Sequence, residues 1–284
     1  MPELPEVETI VRDLRPHLVG RTILSARLSH EDVLRDVTRR KLLRALTGAR
    51  ITGMTRRAKH AVIELELAAG RTRATRPARL VVQPGMTGSL IVHDEPLVPD
   101  EAKYAVLRAP LDDGRELVYR DVRRLGTILL LDEKAWAAYD AALGPEPLDP
   151  GLTPARFAAI MASSKQAIKK VLMDQRRIVG VGNIYANEAL FAAGIDPSKP
   201  SSLLTPHQNK LLLSHVRRIL EAAIASQGTT FRDYRTGTGE KGNFQLELLV
   251  YGREGEKCRV CGTRLAHTHK IDARITVFCH RCQH

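Results

Sequence analysis

Apolar residues Val7, Ile10, Val11, Leu14 and Leu18 recur at three- and four-residue spacing, which is the period of one helix face. Gly20 stands where a C-terminal cap would close that helix, and Pro5 falls in its first turn, where a missing N–H has no partner to lose. The spacing predicts a helix over 4–20. From Thr22 to Leu131 the pattern changes to short runs rich in Val, Ile and Leu, such as ILSARL, ITGMTRRAKHAVIELEL, LVVQPGMTGSLIV, YAVLRAPLDDGRELVY and GTILLLD, broken by turn residues. Asp113-Gly114 is a hairpin signal. Strands that follow one another without intervening helices predict an antiparallel sandwich or barrel. The stretch 144–151, GPEPLDPG, reads as a linker. Beyond it the period is helical again. Thr153-Pro154 opens one helix, a second covers Ala167 to about Arg177, and the turn Val179–Asn183 leads into a third over Ile184–Ala193, closed by Gly194. Thr205-Pro206-His207-Gln208 has the form of a capping box and opens a long helix ending near Gly228. The last 50 or so residues return to short strands.

Composition narrows the class. The chain has 284 residues and a formal net charge of +12, and its pI is about 9.8. At about 100–200 residues per domain the length predicts two domains with a small appendage. The ordinary apolar fraction argues against disorder. There is no 18-residue apolar run and no basic leader before an apolar stretch, so a soluble intracellular protein is expected. The charge is uneven: 24 basic and 20 acidic residues lie in 1–142, against 20 and 12 in 143–284. Such a balance is the footprint of a polyanion binder, although a general solubility device would look the same.

Three features carry chemistry. Cys258-x2-Cys261 and Cys279-x2-Cys282 are separated by 17 residues. Each pair sits on a tight turn, and a β-hairpin between them brings four thiolates together, the pattern of a closed structural zinc site. Arg274 projects from that hairpin, either as a plain surface arginine or as a phosphate contact. Gly180-Val181-Gly182-Asn183, between two helices and preceded by Lys169, Lys170, Arg176 and Arg177, is either a phosphate cradle of backbone N–H groups or a tight helix–helix turn. Met1 precedes the small residue Pro2, so removal of Met1 would expose a secondary amine, a nucleophile able to form a Schiff base. Glu3 and Glu6 beside it are general acids or simply complements to a helix dipole.

Together MPELPEVET at the start, RRAKH (56–60), PGMTGSL (84–90), YRDVRRLG (119–126), GPEPL (144–148), VGVGNIYANEALFAAGI (179–195), VYGREGEKCRVCGT (250–263) and the closing cysteine hairpin resemble the bacterial formamidopyrimidine-DNA glycosylase family, in order along the whole chain. The resemblance implies an α+β fold. An N-terminal antiparallel β-sandwich flanked by helices (1–135) is followed by a linker (136–152), a helix–two-turn–helix DNA-binding domain (153–235), and a lesion loop with a four-cysteine zinc-finger hairpin (236–284). It implies a bifunctional glycosylase and abasic-site lyase of base excision repair, acting on oxidised purines in double-stranded DNA. Pro2 would be the nucleophile, Glu3 the acid, Lys59 the lysine assisting β-elimination, and Arg274 the finger arginine assisting δ-elimination. Asn183, Lys165, Lys169, Tyr104, Ser164 and Arg123 would meet the DNA. Met86, Arg123 and Leu125 would fill the void left by an extruded nucleotide, as side chains inserted into a duplex do. Glu6, Lys241, Gly242 and Phe244 would face the lesion, with Thr236–Phe244 as a loop closing over it. One structural zinc, a monomeric state, no membrane association and a cytoplasmic, nucleoid-associated location are expected. The competing expectations are a non-catalytic zinc-containing damaged-DNA binder, and the sister endonuclease VIII activity on oxidised pyrimidines, from which PELPEVET points away.

The sequence departs from the family pattern at several positions. Leu125 replaces the usual Phe, Gln83-Pro84 stands where His-Leu is common, and Tyr104 replaces a phosphate-contacting histidine. Ser164 replaces a basic residue, and the cysteine hairpin is one residue longer. Tyr and Ser donate to phosphate without charge, so a shallower salt dependence is expected at those contacts.

Overall fold

A computed structural model describes residues 1–68, 75–229, 236–237, 239–240 and 242–284. They form two compact units, Met1–Ala141 with Gln227–Asn243, and Ala142–Ser226 with Phe244–His284. Among the described residues no helix is long and apolar enough to cross a membrane.

In the first unit, helix α1 (Leu4–Leu18) buries Leu4, Val7, Ile10, Val11, Leu14 and Leu18, the face that the spacing defines. It stops at Val19, whose N–H still reaches the Arg15 carbonyl, and Gly20 follows at φ +90°. Among the described residues eight strands follow: β1 (Arg27–Leu28), β2 (Arg50–Arg57), β3 (His60–Ala68), β4 (Thr75–Gln83), β5 (Gly88–His93), β6 (Ala105–Pro110), β7 (Glu116–Asp121) and β8 (Thr127–Leu131). They pair into two antiparallel sheets, ordered β2-β3-β4-β8 and β1-β6-β7-β5. Ala61, Ile63 and Leu65 of β3 and Leu117 and Tyr119 of β7 join the α1 face in one core. Burial of each large aliphatic side chain there contributes about 1.5–3 kcal/mol.

Two helical segments interrupt the strand series, where the strand pattern predicts none, and a third helix flanks its end. Helix α2 (Arg39–Leu46) is capped by Thr38, whose hydroxyl accepts the Lys41 N–H, and it buries only Leu42 and Leu46. Two apolar anchors in TRRKLLRAL are too few to display a period. After the single turn α3 (Pro99–Ala102), helix α4 (Glu133–Ala141) covers the outer face of the sheet at β4 and β8. There Trp136 and Tyr139 pack on Val62, Val81, Leu129 and Leu131. This cover explains why those strands are apolar on both faces rather than alternating.

In the second unit, helices α5 (Pro154–Ala162), α6 (Ile168–Met173), α7 (Asn183–Ala192) and α8 (Pro206–Ala225) follow the predicted order. The Thr205–Gln208 capping box is present. Helix α6 is shorter than expected because Asp174 ends it: its carbonyl takes the Arg177 and Ile178 N–H groups and its carboxylate takes that of Arg176. The proline-rich stretch is anchored rather than loose, since Arg217 of α8 donates to the carbonyls of Pro147, Asp149 and Leu152. The chain closes with the hairpin β9 (Ala266–Thr268) and β10 (Thr276–Phe278). That hairpin is fastened to α7 by Asn187, which accepts the Val277 N–H at 2.8 Å. Next to it, Glu188 accepts the N–H groups of Leu249, Val250 and Tyr251 at 2.8–2.9 Å.

Candidate functional site

The first unit gathers the amino terminus, the RRAKH turn and the two loops at Met86 and Arg123. Pro2, Glu3 and Glu6 are buried. Glu3 sits at the N-cap of α1, and its N–H donates to the Glu6 carboxylate at 2.8 Å. The other Glu6 oxygen accepts the Thr229 N–H at 2.8 Å. One carboxylate therefore ties the residue after Pro2 to the segment that follows α8. Lys59 occupies the β2–β3 turn beside Ala58, which adopts φ +54°. The turn is held to α1 by Arg56, which donates to Glu8 at 3.0 Å and to the Ala58 carbonyl at 3.0 Å. Arg57 pairs with Asp140, and His60 meets the Tyr139 hydroxyl at 2.9 Å. The Gln83 amide lies 3.8 Å from the Met1 sulfur, and the His60 Nδ1 is 3.1 Å from the Arg57 carbonyl. Burial lowers the His60 pKa, outweighing the bond to Arg57.

Met86 lies at the tip between β4 and β5, and Arg123 and Leu125 lie between β7 and β8. Met86 and Leu125 are 41% and 54% exposed, unusually high for large apolar side chains. The Arg123 guanidinium is 4.0 Å from the Met86 sulfur, and all three side chains are exposed. Tyr104 lies under two cations, Lys103 at 5.3 Å and Arg120 at 5.4 Å from its ring centroid. Gly237 donates to Asp13 of α1 at 3.0 Å. A Cβ on Gly242 would stand 2.3 Å from the Gly228 carbonyl oxygen, so only glycine allows that approach. Lys241 lies outside the described residues.

The second unit places a basic cavity of about 430 Å³ at the β9–β10 turn, with Lys170, Arg176, Arg177 and Arg274 set against Asp174 and Asp272. Arg274 is exposed and follows Ala273 at φ +62°. Lys165 is exposed too, whereas Ser164 is buried and its carbonyl accepts the Ser202 N–H. Lys169 differs from the expected phosphate contact. Its side chain is 0% exposed, and its ammonium donates to Thr276 Oγ1 (2.7 Å), the Ile275 carbonyl (3.2 Å) and Asp272 (3.3 Å). Asn183 donates to the same Ile275 carbonyl at 3.0 Å. Both residues therefore grip the turn that displays Arg274. Phe244 is buried against Tyr185, with ring centroids 6.0 Å apart.

The ligand sulfur atoms of Cys258, Cys261, Cys279 and Cys282 all lie within 4.8 Å of one another, and these residues can hold a metal ion. Four sulfurs at about 2.3 Å from a tetrahedral centre stand about 3.8 Å apart. The Cys258–Cys282 and Cys261–Cys279 separations of 3.9 and 3.4 Å fit that cage. Hydrogen bonds from Thr263 lower the Cys261 pKa to about 6, while burial pushes Cys279 up.

Comparison with known proteins accounts for the set. Residues 1–128 match the formamidopyrimidine-DNA glycosylase N-terminal domain and residues 143–235 its H2TH domain. A formamidopyrimidine-DNA glycosylase of Stutzerimonas stutzeri is 41% identical over 283 residues, covering 100% of both chains. The chain belongs to the formamidopyrimidine-DNA glycosylase family. The MutM (Fpg) protein of Thermus thermophilus superposes with a TM-score of 0.84 at 34% identity, over 99% of this chain and 98% of that one. A point mutant of the Lactococcus lactis Fpg protein, solved with a Fapy-dG containing DNA, gives 0.87 at 32% identity over 99% of each chain.

Within this formamidopyrimidine-DNA glycosylase fold, the terminus, Lys59 and the Met86–Arg123–Leu125 group fall in one unit, and Asn183, Lys165, Arg274 and the cysteines fall in the other. Sequence reading missed Lys170 as a member of the Arg274 cavity. Its only signal was adjacency to Lys169 on a helix, where neighbours point about 100° apart, so one faces the interior and the other the cavity.

Proposed function

We propose that this chain is a bifunctional DNA glycosylase and abasic-site lyase that excises oxidised purines such as 8-oxoguanine and formamidopyrimidines. The reading is carried by the likeness over the whole chain to a protein crystallised with Fapy-dG DNA, joined to a terminus where Pro2 directly precedes Glu3, the N-cap of α1. With Met1 removed, the lone pair of the Pro2 nitrogen attacks C1′ of the damaged nucleotide. The C1′–base bond breaks, the base leaves with the proton that the alkylated Pro2 nitrogen sheds, and Glu3 gives a proton to the opening sugar-ring oxygen. The resulting iminium acidifies C2′–H. Loss of that proton expels the 3′ phosphate, and a second elimination expels the 5′ phosphate, with Lys59 and Arg274 stabilising the departing phosphates. Glu6 and Gly242 face the base, and Asn183, Lys165, Tyr104 and Arg123 contact the backbone. Met86, Arg123 and Leu125 occupy the vacated space.

The four cysteines hold one zinc ion, which with four thiolates has no open position and serves folding of the finger rather than chemistry. Residues 1–135, 153–235 and 236–284 act as catalytic, helix–two-turn–helix and finger regions of a monomer working on cytoplasmic, nucleoid DNA.

Borohydride reduction in the presence of 8-oxoguanine duplex tests this reading. The processed protein is expected to form a covalent adduct, and Pro2→Gly a weaker one because a primary amine remains. A form extended by one residue at the amino terminus should form none while binding DNA normally. DNA binding without adduct or cleavage by the processed protein would instead select the non-catalytic binder, and preference for thymine glycol the pyrimidine-directed enzyme.

A further inference from the structure

Among the described residues of the first unit, the proposed chemistry leaves the buried carboxylate of Asp121 unused. Asp121, at the end of β7, is 1% exposed. One of its oxygens accepts from the Thr87 hydroxyl (2.6 Å) and the Arg123 N–H (3.3 Å). The other accepts from the Tyr119 hydroxyl (2.9 Å) and the Gly126 N–H (2.9 Å). Thr87 Oγ1 in turn accepts the Arg123 N–H at 2.9 Å. One carboxylate thus binds the residue that follows Met86 and both ends of the Arg123–Gly126 loop. Burying a carboxylate is costly unless its oxygens are filled by donors, and here four donors fill them.

Packing around this charge confines the two loops. A Cβ on Gly126 would lie 1.9 Å from the Tyr119 hydroxyl, and one on Gly85 would lie 2.5 Å from the Gly126 nitrogen and 2.9 Å from Asp121. The loops therefore meet backbone to backbone at glycine-only positions. Arg124, between Arg123 and Leu125, is held at φ +52°, a conformation that needs surrounding constraint to persist.

We propose that Asp121, with Thr87 and Tyr119, is the positioning device of the Met86–Arg123–Leu125 wedge. It sets the height and spacing of three tips that must enter a base stack together, and it touches no DNA itself. This rests on the glycosylase reading and on the void-filling role of those three residues. The device acts on the opening of the base pair and leaves the bond-breaking steps at the terminus alone. Loosening it should slow excision of a stacked, paired lesion while sparing cleavage at a site where the base is already gone.

The test compares Thr87→Val, Thr87→Ser and Tyr119→Phe with the wild type in single-turnover reactions. One duplex carries 8-oxoguanine paired with cytosine and the other a preformed abasic site, with 2-aminopurine beside the lesion to report unstacking. Thr87→Val should slow base excision about tenfold and delay the fluorescence rise equally, with abasic cleavage within about twofold of wild type. Thr87→Ser, which keeps the hydroxyl, should restore both, and Tyr119→Phe should move in the direction of Thr87→Val. Equal slowing on both duplexes would reveal a general folding defect and overturn the proposal, as would unchanged rates on both. A wild type that cuts neither duplex would refute the glycosylase reading instead, so the two failures are distinct.

Discussion

Replacing Glu188 measures how firmly the finger is fastened to α7. Its carboxylate accepts three backbone N–H groups, Leu249 on one oxygen and Val250 and Tyr251 on the other. Glu188→Gln keeps shape and volume. The amide oxygen still serves Val250 and Tyr251, but the N–H of Leu249 then meets an NH2 group. One orphaned buried donor costs about 1–3 kcal/mol. Glu188→Ala orphans all three, for about 3 kcal/mol or more. Burial raises the Glu188 pKa, outweighing the three N–H groups that lower it. A carboxyl with a raised folded-state pKa contributes stability that is fully present below its unfolded pKa and is lost as the pH rises through the folded value. The fold thus tolerates a neutral group here, so the Gln cost should stay near that of the single lost bond. At 1.4 kcal/mol per factor of ten, local opening becomes about 5- to 150-fold more frequent in Glu188→Gln, and more frequent still in Glu188→Ala. Hydrogen exchange of the Val250 amide reads this directly as lost protection. Unchanged protection in both variants, or a Gln variant less protected than the Ala variant, would refute the reasoning.

Two further outcomes are expected. Leu125→Phe should leave stability within about 0.5 kcal/mol, because the site is exposed. Its affinity for a duplex with an uncleavable abasic analogue should rise at least about fivefold, given about 1–3 kcal/mol for stacking an aromatic ring on a base; a titration showing equal Kd values would deny Leu125 the void-filling role. His60 has its pKa lowered by burial, so its contribution is complete above its unfolded pKa of about 6.5 and is lost as the pH falls through the lowered folded value. The urea midpoint of wild type should therefore fall further between pH 7.5 and 5.5 than that of His60→Gln, and parallel profiles would exclude His60 as a source of acid sensitivity.

Much of the molecule is legible in local patterns. The α1 stripe, the Thr205 capping box, the strand runs and the C-x2-C pairs each arise from neighbours within a few residues, where helix period, capping and chelation act. The order of the helices after residue 153 follows from the same signals. Helices α2 and α4 were not legible, because each depends on a distant partner: Leu42 and Leu46 on the sandwich core, Trp136 and Tyr139 on the outer faces of β3, β4 and β8. The proline-rich stretch reads as a linker by composition, which says nothing of the Arg217 guanidinium that fastens it.

Which residue types stand at the terminus, the RRAKH turn and the cysteine pairs is a property of the chain alone, and from it follow the candidate nucleophile, the polyanion partner and the metal cage. The destination of each basic or acidic side chain is not. Lys169 and Lys170 are neighbours of identical type, yet one is walled in by Asp272, Ile275 and Thr276 and the other lines an open basic cavity. Asp121 reads as one more acid in YRDVRRLG until Thr87, Tyr119 and Gly126 surround it. Local period sets which way a residue can point, but only the packed fold brings donors tens of residues away to a buried charge and so decides whether it meets solvent or holds the interior together.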